Sequence, residues 1–235
     1  MIRTVWLDNP PVNAINAQVI ATIRDALADP GENTRVLVLR GRGERAFSAG
    51  ADISGFRGSE GGARAIQQTA DLIEAAPLPV VAAIHGYCLG GGLEVALGCD
   101  LRIAHADSEL GFPEVRLGLL PGGGGTQRAP RLVGPGRAAW LIMSGERVPA
   151  RQAEAWGLVE HVVDDLDEGI ERVAGALDAQ SPYALREIKQ LLRETREDRD
   201  DAAEHASFVR CLDSEDGKEG VAAFLEKRPP TWTGR

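Results

Sequence analysis

The sequence predicts an α/β protein: a core in which strands and helices alternate, followed by a helical C-terminal region. Three observations carry this. Short, continuous apolar runs at residues 36–39 and 80–84 have strand length and read as strands buried on both faces. Segments with apolar residues at helical spacing lie between and beside them. From about Gly136 onward the pattern is almost wholly helical, and the last third reads as helices only.

In chain order, residues 4–7 read as a short strand ended by the turn signal Asn9-Pro10-Pro11. Asn16 can cap a helix whose apolar positions Val19, Ile20, Ile23, Ala26 and Leu27 share one face, and Pro30-Gly31 stops it. The strand at 36–39 runs into a glycine-punctuated segment, 41–51. Residues 63–75 read as a helix that ends before Pro77 and Pro79. The strand at 80–84 continues into His85-Gly86-Tyr87-Cys88-Leu89 and the triplet Gly90-Gly91-Gly92, and a helix starts over 93–97. Residues 101–104 and 110–112 read as strands. The glycine-rich loop 121–125 leads into a helix near Thr126. Pro149 and Pro182 stand at helix starts, and 184–196 carries Leu185, Ile188, Leu191 and Leu192 on one face with charges opposite. The division expected is a core over 1–175 and a helical region over 176–235.

Composition narrows the function classes. The 235 residues allow one large domain or a domain with an appendage. No apolar run approaches the roughly 20 residues of a membrane span. The start of the chain carries Arg3 but no apolar stretch of signal-peptide type, so none is expected. Three widely spaced cysteines, Cys88, Cys99 and Cys211, argue against a disulfide framework and for a reducing cytoplasm. A net charge of −9 argues against bulk nucleic-acid binding, which rests on neutralising phosphates. The four histidines have no metal-site spacing, so no metal is expected.

Three glycine-rich places invite a phosphate-loop reading, and each departs from it. Gly41-Arg42-Gly43 has no third glycine at the dinucleotide spacing, Gly90-Gly91-Gly92 lacks the spaced pattern, and 121–125 ends in Thr126-Gln127-Arg128 rather than Lys-Ser/Thr. Taken alone, such clusters are most simply tight turns. The triplet says more in its setting. A strand, a glycine turn and a helix put free N–H groups at a helix N-terminus, where they and the helix dipole stabilise developing negative charge. An enolate oxygen is such a charge. Glu94 lies in the first turn of the same helix, near any oxyanion those amides hold.

Several segments in register then resemble the crotonase (enoyl-CoA hydratase/isomerase) family. They are Arg45-Ala46-Phe47-Ser48-Ala49-Gly50-Ala51-Asp52-Ile53, Ile84 through Glu94, Cys99-Asp100-Leu101-Arg102, Gly111-Phe112-Pro113-Glu114-Val115-Arg116-Leu117-Gly118, and Leu120-Pro121 through Arg128. Ala155-Trp156-Gly157-Leu158-Val159 and Glu226-Lys227-Arg228 are also similar. The resemblance covers nearly the whole chain. It implies a spiral core of ββα units, C-terminal helices that assemble homotrimers or hexamers, and an acyl-CoA substrate, with coenzyme A part of the substrate and no other cofactor. It implies an oxyanion hole made by the backbone amides of Ala51 and Gly91, and two acid/base carboxylates, Glu94 and Glu114. Glu94 would orient and activate water, and Glu114 would exchange a proton with the α-carbon. At least one of the pair is expected to have a raised pKa, because the cavity is apolar and the other carboxylate is close.

The same resemblance puts Ala49, Asp52, Ile53 and Gly90 along the substrate, with Phe208 packing on the pantetheine and Lys227 pairing with a phosphate. Cys88 reads as a packing residue, since nothing near it in sequence would lower its pKa. Two departures stand out. Little precedes residues 4–7, where the family usually has a longer opening hairpin, and the segment 55–62 is short and glycine-rich. Because both glutamates are present, hydration of a trans-2-enoyl-CoA to 3-hydroxyacyl-CoA is the expected activity. A one-glutamate isomerase, decarboxylase or lyase is the alternative. A non-catalytic acyl-CoA-binding or RNA-binding scaffold is disfavoured by the acidic balance and the complete pair. Acyl chain and pathway, fatty-acid oxidation among them, stay open at this level.

Overall fold

The computed structural model describes residues 1–52, 61–194 and 201–235. Along the chain run β1 (Ile2–Leu7), α1 (Ala17–Ala28), β2 (Val36–Gly41), β3 (Ala46–Ser48), α2 (Gly61–Ala75), β4 (Val80–Ile84), β5 (Tyr87–Leu89) and α3 (Gly91–Gly98). Then follow β6 (Leu101–His105), β7 (Glu109–Gly111), a 3₁₀ turn (Pro113–Leu117), α4 (Gly125–Val133), α5 (Pro135–Ser144), β8 (Arg147–Pro149), α6 (Ala150–Trp156) and β9 (His161–Val163). The chain closes with α7 (Leu166–Asp178), α8 (Pro182–Glu194), α9 (Asp201–Asp213) and α10 (Glu215–Glu226).

The long strands form a five-stranded, wholly parallel sheet in the order β1-β2-β4-β6-β9. Side chains alternate across a strand. On β2, Leu37 and Leu39 face the main core while Val36 and Val38 face a second cluster, and on β4 Val80, Ala82 and Ile84 oppose Val81 and Ala83 in the same way. The second cluster is closed by Leu166, Val173 and Ala174 of α7. Burial on both faces is why these strands read as unbroken apolar runs.

The short strands form a second sheet, β3-β5-β7-β8, parallel except at β7–β8. Strand of the first sheet, strand of the second, helix: that unit occurs as β2-β3-α2 and β4-β5-α3, and again as β6-β7 followed by the 3₁₀ turn. The result is an α/β fold of repeated ββα units. Asn16 caps α1 as its position suggests, its side chain accepting from Val19 N at 2.9 Å.

Three expectations need correction. The chain from Gly136 onward is not helices only: β8 pairs with β7, Val148 opposite Leu110, and in the last third β9 forms the far edge of the long sheet. Three-residue strands are too short to show a period. For the same reason β3 and β5 are strands where the sequence suggested only glycine turns. On α8, Ile188 is 50% and Leu192 67% exposed, whereas the buried residues are Glu187 and Lys189. Lys189 Nζ donates to Ile73 O, Leu78 O and Asp100 Oδ2, so a charged side chain joins the half-buried Leu185 and Leu191 in anchoring this helix to the core. The helices α8, α9 and α10 pack on one another. The chain end lies back on them, with Asp216 accepting from Thr233 N and Gly234 N, and Trp232 Nε1 donating to Ala179 O.

Candidate active site

The ends of β3 and β5, the start of α3 and the 3₁₀ turn meet around a cavity of about 560 Å³. Ala49, Gly50 and Ala51 form one wall, Gly90, Gly91 and Glu94 another, and Pro113 and Glu114 a third. Ile66 and Ala63 of α2, with Leu117, Leu119 and Leu120, complete an apolar lining.

Among the described residues, two amides beside this space have no acceptor. The parallel bridge between Ile15 and Ala51 uses the N–H of Ile15, which donates to Gly50 O, and that of Asp52, which donates to Ile15 O. Alternation along an extended chain turns the intervening Ala51 N–H to the other side. Gly91 opens α3, where the first amides of a helix have no intrahelical acceptor. Among the described residues neither amide has an acceptor. The two are neighbours: a Cβ placed on Gly91 would stand 3.2 Å from Ala51 N.

Glu94 lies in the first turn of α3, a helix buried along its whole length. Its Oε1 accepts from Gly123 N at 2.7 Å and Gly125 N at 2.9 Å. Burial raises its pKa, and the two amides and the charge of Arg128 oppose that rise. Oε2 has no protein donor among the described residues.

Glu114 sits in the 3₁₀ turn against Gly90. A Cβ on Gly90, whose φ is +50°, would meet Glu114 Oε1 at 2.9 Å, so only glycine leaves this carboxylate its place. Glu114 Oε2 is buried without a hydrogen-bond partner among the described residues. Burial pushes its pKa up to about 7; its own backbone amide opposes this, and the nearby Glu94 charge adds to it. One carboxylate is thus held by two amides and the other is nearly bare.

Of the residues singled out in sequence, Ala49, Ala51, Gly90, Gly91, Glu94 and Glu114 come together here. Asp52 follows directly, its amide bonded to Ile15 O. Ile53, and residues 55–60 of the glycine-rich segment, lie outside the described residues. Phe208 and Lys227 do not line the cavity. Phe208 is on α9, against a separate hollow of about 280 Å³ beside Trp232, and Lys227 caps the end of α10. Cys88 is fully buried and burial raises its pKa well above the ordinary thiol value, which suits packing rather than attack. Sequence reading missed the amides of Gly123 and Gly125. The signal was present in the glycine run 121–125, which was weighed as a phosphate loop but not as a carboxylate cradle.

Among the described residues no cluster of three or more His, Cys, Asp or Glu could hold a metal ion, and no helix is long and apolar enough to cross a membrane.

Comparison with known proteins identifies the family. A family model described as enoyl-CoA hydratase/isomerase matches residues 1–235. A crotonyl-CoA hydratase of Syntrophomonas wolfei is 39% identical, covering 97% of this chain and 92% of its own. A putative enoyl-CoA hydratase/isomerase of Bacillus subtilis is 41% identical, covering 98% and 94%. The crystal structure of an enoyl-CoA hydratase from Bacillus anthracis superposes with a TM-score of 0.91 at 35% identity, covering 99% of this chain and 95% of that one. By sequence along its whole length and by fold, the chain belongs to the enoyl-CoA hydratase/isomerase family.

Proposed function

We propose that the protein is an enoyl-CoA hydratase, adding water reversibly to a trans-2-enoyl-CoA to give the 3-hydroxyacyl-CoA. The observation that carries this is the pair Glu94 and Glu114 lining one cavity beside two amides that have no acceptor among the described residues. An isomerase needs to move one proton between carbons, for which one carboxylate suffices. Hydration needs a proton taken from water and another given to the α-carbon, and two carboxyl groups divide those tasks.

The thioester oxygen accepts from Ala51 N–H and Gly91 N–H. These amides bind it more strongly as it gains enolate charge, and the start of α3 adds its dipole. Glu94, ionised, directs Oε2 at a water and takes its proton as the oxygen bonds to the β-carbon. The electron pair of the double bond moves into the enolate. Glu114, protonated to about pH 7, gives its proton to the α-carbon, and the thioester carbonyl reforms. The proton lost by water rests on Glu94 and the one gained by carbon came from Glu114, so the pair ends with one proton, as it began.

Ala49 stands at the wall along which the coenzyme arm would lie, and Asp52 follows that wall in the chain. Within one chain Phe208 and Lys227 are not beside that wall, so a role for them in coenzyme binding places them in a neighbouring copy of a homotrimer or hexamer. The exposed apolar side chains of α9 and α10, Phe224 at 84% among them, suit such an assembly. The test of activity is conversion of crotonyl-CoA, followed by loss of enoyl absorbance and identification of 3-hydroxybutyryl-CoA. A product with a shifted double bond and no added water would favour the isomerase reading.

A further inference from the structure

Glu94 owes its orientation to the loop 121–125, and that loop is in turn gripped from behind. Arg128, on the first turn of α4, is 6% exposed. Its side chain folds back so that Nη1 donates to Gly123 O at 3.2 Å, the carbonyl of the residue whose amide holds Glu94 Oε1. The fork's other nitrogens reach α2: Nε donates to Glu74 Oε1 at 3.0 Å and Nη2 to Asp71 Oδ1 at 2.5 Å. Asp71 and Glu74 are three residues apart and share a helix face. The loop bends around the guanidinium at Gly124, whose φ is +105° and where a Cβ would stand 2.0 Å from Arg128 Nη1. So neither the path of the loop nor the place of the arginine tolerates a side chain at 124.

We infer that Arg128 is a positioning residue for the reaction, acting through the loop 121–125: it fixes the two amides that hold one oxygen of Glu94 and so aims the other at water. It does not line the cavity. It also ties the loop to α2, which supplies Ile66 to the cavity wall. Its charge favours the ionised form of Glu94, which is the form that accepts a proton from water. The charged groups bearing on Glu94 among the described residues are Arg128 from α4 and Glu114 from the 3₁₀ turn, and Arg128 is itself paired with Asp71 and Glu74 of α2.

The test compares Arg128→Gln and Arg128→Lys with the parent protein. Lysine keeps the charge but cannot fork to two carboxylates and a carbonyl at once. For crotonyl-CoA hydration, Arg128→Gln is expected to lower kcat by about 10- to 100-fold, the effect of a small misplacement of a reacting group. KM should change by no more than about threefold, because the oxyanion amides and the coenzyme wall are untouched. The acid limb of the pH–rate profile should move to higher pH in Arg128→Gln and stay in place in Arg128→Lys, with kcat partly restored.

Because the role in catalysis rests on the hydratase reading, the second readout is independent of turnover. The carbon-13 carboxyl signal of Glu94, assigned by its loss in Glu94→Gln, should titrate at higher pH in Arg128→Gln than in the parent. Parent protein inactive on enoyl-CoA esters, with this shift present, would sink the hydratase reading and leave the positioning of Glu94 standing. An active parent, with kcat within twofold and Glu94 titrating unchanged in Arg128→Gln, would overturn the inference. So would losses of kcat and thermal stability that are equal in the two variants and carry no pH shift. Should Arg128→Gln not fold, Arg128→Lys decides: a lowered kcat at constant KM and an unmoved acid limb supports the role, and native kcat refutes it.

Discussion

The role proposed for Glu114 bears on stability as well as on turnover. Its ordinary pKa is 4.5 and in the fold it is about 7, so the native state binds this proton more tightly than the unfolded chain. The stability it contributes is full below pH 4.5 and is lost as pH rises through 7. Glu114→Gln should therefore leave stability unchanged near pH 4 and raise it at pH 8 by about 1–2 kcal/mol, the full linkage value being discounted for partial exposure. Chemical denaturation at the two pH values checks this, and equal stabilities at pH 8 would contradict it. In the proposed mechanism the same proton governs turnover. The working pair holds one proton, and hydration neither releases nor consumes one, so kcat/KM in both directions should share one bell-shaped profile with its alkaline limb near pH 7. Initial rates of hydration and dehydration across pH 5–9 test that. Both glutamates were legible in the sequence as part of a run of residues. What sets them apart was not: Gly123 and Gly125 lie 29 and 31 residues beyond Glu94, and no local pattern shows which amides will face it.

Among the elements, α8 shows where pattern and packing part. Its leucines recur at helical spacing, yet the helix is joined to the core through Lys189, which reaches two backbone carbonyls and Asp100. Asp100 also accepts from Val80 N at 2.7 Å, so the pair ties α8 to the start of β4 and to the residue after α3's C-cap. Breaking such a pair leaves a charge and two carbonyls underserved. Lys189→Met should cost about 2–3 kcal/mol in urea denaturation, less than a wholly enclosed pair because Asp100 is partly exposed. A loss under about 0.5 kcal/mol would mean that water replaces the lysine freely. The long strands and the α1 cap were readable because burial on both faces and a side-chain cap write themselves into adjacent residues. The strands β3, β5, β8 and β9 were not, since three residues held by their neighbours carry no period of their own.

Over the whole molecule, two clusters flank the five-stranded sheet, while α9 and α10 keep Phe208, Leu212, Val221, Phe224 and Leu225 exposed. Side chains of this size left in the open suit burial against another copy. Light scattering should find three or six chains per particle, and Phe224→Glu with Leu225→Glu should shift the population toward single chains; a parent protein of one chain mass would contradict the assembly. The alternation of strand and helix was enough to place the fold class. How the ββα units bring residues 51, 91, 94 and 114 to one cavity became visible only with the second sheet. The central claim is that both carboxylates do the chemistry. It is tested most directly by the rate of crotonyl-CoA hydration in the parent, Glu94→Gln and Glu114→Gln. The expected result is a fall of about 10²–10⁴-fold in each variant, with folding intact; near-native hydration in either one would contradict it.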